Sequence, residues 1–130
     1  MHIKRFLEWI GLKVRLDAII HQAPHVSEGE IWWASIGENI GAEISGKSQY
    51  FSRPIIVFRK LSHSFYFVIP LTTQIRAGNW YVNIKQDGKE MFACLHQSRA
   101  IDYRRLHRKL GQLDELDFKR VKTGFRSLYH

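Results

Sequence analysis

The chain has one cysteine, Cys94. An intramolecular disulfide is therefore excluded, and with it a secreted, disulfide-built design; a reducing cytoplasm is the expected setting. Long apolar runs are also missing. Lys4, Arg5, Glu8, Lys13, Arg15 and Asp17 interrupt every apolar stretch near the start. Neither a signal-peptide core nor a membrane span fits them, so no membrane partner is expected. There is no Cys-x-x-Cys pair and no Gly-x-x-x-x-Gly-Lys phosphate loop. No metal site and no cofactor is expected on that basis. Internal repeats and low-complexity tracts are absent. Acidic residues are scarce: Lys plus Arg is 20 against 12 for Asp plus Glu, giving a formal charge of +8. Such an excess favours polyanions, with RNA or DNA first among them.

What is present suits a single domain of 130 residues with one core. Met1 to Gln22 has apolar residues at helical spacing, among them Ile3, Phe6, Leu7 and Ile10. This predicts an amphipathic helix that Pro24 ends. Gly29 to Ile36 reads as a strand with Trp32 and Trp33 on opposite faces. Gly37 to Ser52 is a long Gly-, Ser- and Asn-rich connection of the kind that serves as a functional loop. Lys47 and Gln49 are its candidate phosphate or base contacts, and Glu43 a candidate ion-pair partner for Arg53.

Phe51 to Gln74 holds the centre of the chain. Ile55 to Phe58 and Phe65 to Ile69 are continuous apolar, β-branched and aromatic runs, which predict strands buried on both faces. Antiparallel pairing brings Arg53, before the first run, to the same sheet end as Thr72, after the second. A guanidinium beside hydroxyls on a sheet rim is a phosphate site, because Arg offers forked donors and Thr a neutral one.

Beyond it, Asn79 to Lys85 and Lys89 to Leu95 read as a hairpin about the turn Gln86-Asp87-Gly88. Trp80, Val82 and Ile84 are expected on its buried face. His96 to Asp102 reads as a loop plus a strand. Tyr103 to Lys109 reads as a basic helical turn, either a solvated face or part of a footprint for RNA. Asp114 to Leu128 reads as a closing helix capped by Asp114. Its core face holds Leu116 or Phe118, with Val121, Phe125 and Leu128.

Arg53-Pro54 before an apolar strand, and a strand ending Pro70-Leu71-Thr72-Thr73-Gln74, resemble the MazF/PemK family of toxin ribonucleases. Gly29-Glu30-Ile31-Trp32 resembles the family's opening strand, and Asn39 to Glu43 the loop after it. Gln97 to Asp102 and Lys109 to Leu113 resemble the run into its last helix. The resemblance covers about Glu28 to the C-terminus. It implies an α+β, mainly β fold: an SH3-like small barrel of antiparallel strands with a C-terminal helix. The expected layout is one domain over 1–130, with 1–27 an added helical extension and 28–130 the barrel. It further implies a type II toxin that cuts single-stranded RNA at chosen sequences, acts as a homodimer and is held by a cognate antitoxin.

The resemblance assigns catalysis to Arg53 and Thr72. The ribose 2′-OH would attack the adjacent phosphorus without a metal, leaving a cyclic phosphate and a 5′-OH. The protein must then take one proton, give one, and stabilise the added charge. At one position the chain departs from the family: His96 stands before Gln97 where several members carry Asp. Imidazole titrates near neutrality and suits proton transfer, which makes His96 a third catalytic candidate. Thr73, Gln74, Arg76, Gln97 and Arg99 join Lys47 and Gln49 as expected RNA contacts. Trp33, Tyr50, Phe51 and Tyr81 are candidate platforms for unpaired bases. Two other readings stay open: a non-enzymatic CcdB-like toxin that grips DNA gyrase, and an inactive member that only binds RNA or a partner.

Overall fold

In the computed structural model the structure describes Glu8, residues 24–37 and residues 52–129. Apart from Glu8, the helix expected over Met1 to Gln22 lies outside the described residues, as does most of the loop expected over Gly37 to Ser52.

The described chain is an antiparallel sheet of seven strands with one C-terminal helix. The strands are β1 (Glu30–Ser35), β2 (Ser52–Ser62), β3 (Phe65–Thr72), β4 (Tyr81–Gln86), β5 (Lys89–Cys94), β6 (Arg99–Asp102) and β7 (Leu106–Gln112); the helix α1 is Glu115–Leu128. Their order across the sheet is β4-β5-β3-β2-β1-β7, with β6 on β3. The two ends of this path meet: Gln86 at the end of β4 donates to the Leu110 carbonyl of β7 at 3.1 Å. The result is small-barrel-like without a closing ladder.

The two central strands are buried on both faces, as their unbroken apolar runs require. Successive side chains of a strand point to opposite faces. Ile56, Ile69 and Leu71 therefore enter one core with Val82, Leu95 and Val121. Ile55, Val57, Tyr66 and Val68 enter the other with Trp32 and Ile101. The outer edge of β3 changes partner along its length: Phe65 to Val68 pair with β6, and Leu71 and Thr72 with β5. Pro70, which has no N–H to give, falls at this hand-over, where its missing donor costs least.

The expected hairpin forms. Asp87 and Gly88 have φ of 51° and 76°, the left-handed pair that a two-residue turn demands. Two expectations need correction, and one open alternative is resolved. Trp80 precedes β4 and is 55% exposed, while Val82 and Ile84 are buried. Of the two helix candidates, Phe118 packs on the core, whereas Leu116 is exposed. Tyr103 to Lys109 is helical only over its first three residues. One 3-10 turn at Tyr103–Arg105 leads into β7, which pairs with β1 and carries the remaining cations along a sheet edge. Backbone pairing decides this segment, since none of its side chains is fully buried.

The helix lies close to β4 because Gly124 has no side chain. A Cβ there would stand 2.9 Å from Val82 Cγ2 and 3.1 Å from Leu95 Cδ1. Gly124→Ala is expected to cost about 1–2 kcal/mol, overpacking outweighing the better helix propensity of alanine. A lower urea midpoint at unchanged slope would show this.

Candidate active site

Arg53 and Thr72 meet through strand register. Ile55 faces Pro70 and Ile56 faces Ile69, so two residues further along, Arg53 lies beside Thr72. The guanidinium reaches across β3, and Arg53 Nη1 donates to the Leu71 carbonyl at 3.3 Å. Thr72 is buried, and its Oγ1 accepts from the Gln74 N–H at 3.2 Å. A hydroxyl so engaged keeps its own hydrogen for a further acceptor.

Both residues line a cavity of about 220 Å³, together with Gln74, Arg76, Tyr81, Cys94, His96 and Gln97. Among the described residues the lining holds two guanidinium groups and no carboxylate. Burial lowers the pKa of Arg53, Cys94 offsets part of this, and Arg76 adds to the lowering. The group nonetheless remains a cation at neutral pH. Burial pushes the Cys94 thiol up to about 11, although Arg53 and Arg76 pull the other way. Cys94 is thus a neutral thiol at physiological pH and a wall of the cavity. A cysteine nucleophile needs the thiolate.

His96 belongs to a 3-10 turn at Leu95–Gln97, closed by Ser98 Oγ donating to the Leu95 carbonyl at 2.7 Å. Its ring lies between Trp80, at 4.9 Å between centroids, and Tyr81, at 5.2 Å and nearly perpendicular. Nδ1 is buried and has no hydrogen-bond partner among the described residues. A buried polar atom without a partner is costly.

The expected site residues divide as follows. Arg53, Thr72, His96, Gln74, Arg76 and Gln97 come together in the cavity, and Arg76 donates to the Gln74 side-chain carbonyl. Thr73 opens instead on an adjoining groove of about 410 Å³ that also holds Trp33 and Arg108. Arg53 lines both spaces. Arg99 lines neither and donates to the Ile36 carbonyl at 3.3 Å. Lys47, Gln49, Glu43, Tyr50 and Phe51 lie outside the described residues. Sequence reasoning held Arg108 only within the basic run Tyr103 to Lys109, and the helical reading hid its position on an edge strand. It missed Trp80, which was assigned to the buried face. Among the described residues no group of three His, Cys, Asp or Glu side chains could hold a metal. No helix of the described residues is long and apolar enough to cross a membrane.

Several solved structures share this fold. MazF from Deinococcus radiodurans superposes with a TM-score of 0.66 at 18% identity, over 83% of this chain and 97% of that one. An endoribonuclease from Mycobacterial species, solved in complex with its cognate antitoxin, gives 0.63 at 12% identity, over 79% and 93%. The Mycobacterium tuberculosis toxin MazF-mt6 gives 0.59 at 14%, over 77% and 95%. No curated protein sequence matches the chain. The family model for PemK-like, MazF-like toxins of type II toxin-antitoxin systems matches residues 27–129. With the Arg-Pro and Pro-Leu-Thr-Thr-Gln segments at the heart of that span, the chain belongs to the PemK/MazF toxin family.

Proposed function

We propose that the protein is an endoribonuclease toxin that cuts single-stranded RNA at selected sequences by 2′-OH attack. The observation that supports this most is the Arg53–Thr72 pair in a small cationic cavity. A phosphodiester seated there has its non-bridging oxygens beside a forked cation and a hydroxyl donor. Both donors gain strength as charge builds on the pentacoordinate phosphorus. The ribose 2′-oxygen forms the new bond to phosphorus and the bond to O5′ breaks. Products are a 2′,3′-cyclic phosphate and a 5′-OH, and no metal takes part. One proton leaves the 2′-OH and one arrives at O5′.

His96 carries one of these two transfers. It is the cavity's imidazole, a side chain able both to take and to give a proton, and its ring is braced by two aromatics. Gln74, Arg76 and Gln97 hold the flanking backbone, and the groove beyond Arg53 takes the strand onward past Thr73. His96→Gln is expected to remove one limb of the pH–rate profile and to slow cleavage by about 10²-fold or more. An unchanged profile in single-turnover assays would rule His96 out of proton transfer.

The same reading makes the working form a homodimer in the cytoplasm, restrained by a cognate antitoxin with an acidic segment, as suits a chain of charge +8. Incubation of the purified protein with a long unstructured RNA tests the whole proposal. Discrete fragments are expected. Binding without cutting would favour the inactive reading, and neither binding nor cutting would leave a gyrase-binding toxin.

A further inference from the structure

Trp80 stands beside the cavity and is more than half exposed. An indole normally hides most of its large apolar surface. This one spends part of its ring on His96, with centroids 4.9 Å apart and planes 32° apart. Its backbone is fixed: the Leu95 N–H donates to the Trp80 carbonyl at 2.8 Å. The turn before it is fixed too, since the Tyr81 N–H donates to the Gly78 carbonyl at 3.3 Å. Gly78 adopts φ 112°, a conformation open in practice to glycine alone. A rigid aromatic is thus presented to solvent and held against a side chain that lines a cavity with two guanidinium groups.

We infer that the exposed surface of the Trp80 indole is the stacking seat for one unpaired RNA base next to the bound phosphate. The inference deepens the RNA-cleaving reading above and rests on it. Single strands are gripped by this combination: cations follow the backbone while aromatic faces take bases. Such a seat tolerates any base, because every base has a π-face. It therefore adds affinity and positions the strand, leaving sequence choice to edge contacts elsewhere. His96 backs the seat, so a stacked base and the proton-transfer group share one rigid unit. Trp80 is a positioning residue here and touches no reacting atom.

The test uses two fluorescent single-stranded probes that cannot be cut. One is a random-sequence 2′-O-methyl RNA heptamer, the other the same backbone without bases. For Trp80→Leu, anisotropy is expected to show about 5- to 100-fold weaker binding of the base-bearing probe and unchanged binding of the abasic one. Trp80→Phe, which keeps a π-face, is expected to retain most of the affinity and serves if the leucine variant folds poorly. Equal losses on both probes, or no loss on either, would overturn the inference. So would failure of the wild type to prefer the base-bearing probe. Unchanged RNA binding with a shift in sedimentation would assign Trp80 to a protein contact instead and overturn it as well. Cleavage of an ordinary RNA by the wild type, run alongside, separates the two claims. A wild type that binds as described but never cuts sinks the nuclease reading alone.

Discussion

Arg53→Ala is expected to slow RNA cleavage by about 10³-fold, through loss of the cation that faces the developing phosphorane charge. The guanidinium sits in a cavity whose described lining residues include a second guanidinium, that of Arg76. Arg53→Lys is expected to recover only part of the rate. An ammonium supplies a point charge but not the fork that holds two oxygens at once. Loss of the bond to the Leu71 carbonyl, which is long at 3.3 Å, should cost stability only about 1 kcal/mol. Single-turnover rates beside urea melts measure both quantities. Full cleavage by the alanine variant would remove Arg53 from the chemistry.

The largest effect on stability is expected at Glu30. Its side chain is almost wholly buried at the start of β1. Oε1 accepts from the Ser27 N–H at 2.9 Å and from Trp32 Nε1 at 3.1 Å, and Oε2 pairs with Lys109 Nζ at 2.9 Å. One carboxylate thereby ties the entry to β1, an indole of the second core and the edge strand β7. Glu30→Ala leaves the Trp32 and Ser27 donors without an acceptor, at a cost of about 2–4 kcal/mol. The lower part of that range applies if Lys109, which is half exposed, turns to solvent. Glu30→Gln keeps an acceptor for the indole and should lose about half as much.

Acid lability follows from the same residue. Burial alone raises the Glu30 pKa, but the Ser27 N–H, Lys109 and Trp32 together outweigh it and leave the value below the ordinary 4.5. The unfolded chain thus binds a proton at higher pH than the folded one. Stability from Glu30 is present above 4.5 and is lost as pH falls through the folded value. His107 adds a loss of the same sign at higher pH. Burial holds it below its ordinary 6.5, so the unfolded chain protonates first as pH drops through 6.5. Urea midpoints of the wild type should therefore decline in two stages on acidification. Glu30→Gln should flatten the lower stage only.

Much of this architecture is legible in the residues themselves. Ile55-Ile56-Val57 has no polar position, so neither face of that strand can be wet. Once β2 and β3 are taken as antiparallel neighbours, the meeting of Arg53 and Thr72 follows from counting. Asp87-Gly88 names its own turn. β7 was hidden because Leu-His-Arg-Lys-Leu-Gly-Gln carries no apolar period of two. Its strand state comes from the ladder it forms with β1, a tertiary cause that no local pattern records. Trp80 was misplaced for the opposite reason: it continues the alternation of Val82 and Ile84, yet the strand begins one residue later, at Tyr81. Leu116 and Phe118 both fit the helical period, and only the position of Phe58 beneath the helix selects Phe118, at 6.1 Å between ring centroids. The contact between His96 and the cavity depends on a 3-10 turn that its sequence does not announce.

The chemistry proposed for the cavity is tested most directly by the ends it leaves. A defined single-stranded RNA, cut by the wild type in EDTA, should yield 2′,3′-cyclic phosphate and 5′-hydroxyl termini. The same RNA with a single 2′-deoxy substitution at the mapped cleavage position should remain whole there. Fragments with 5′-phosphate and 3′-hydroxyl ends, or cutting at the deoxy position, would show that the ribose hydroxyl is not the nucleophile and would contradict the account.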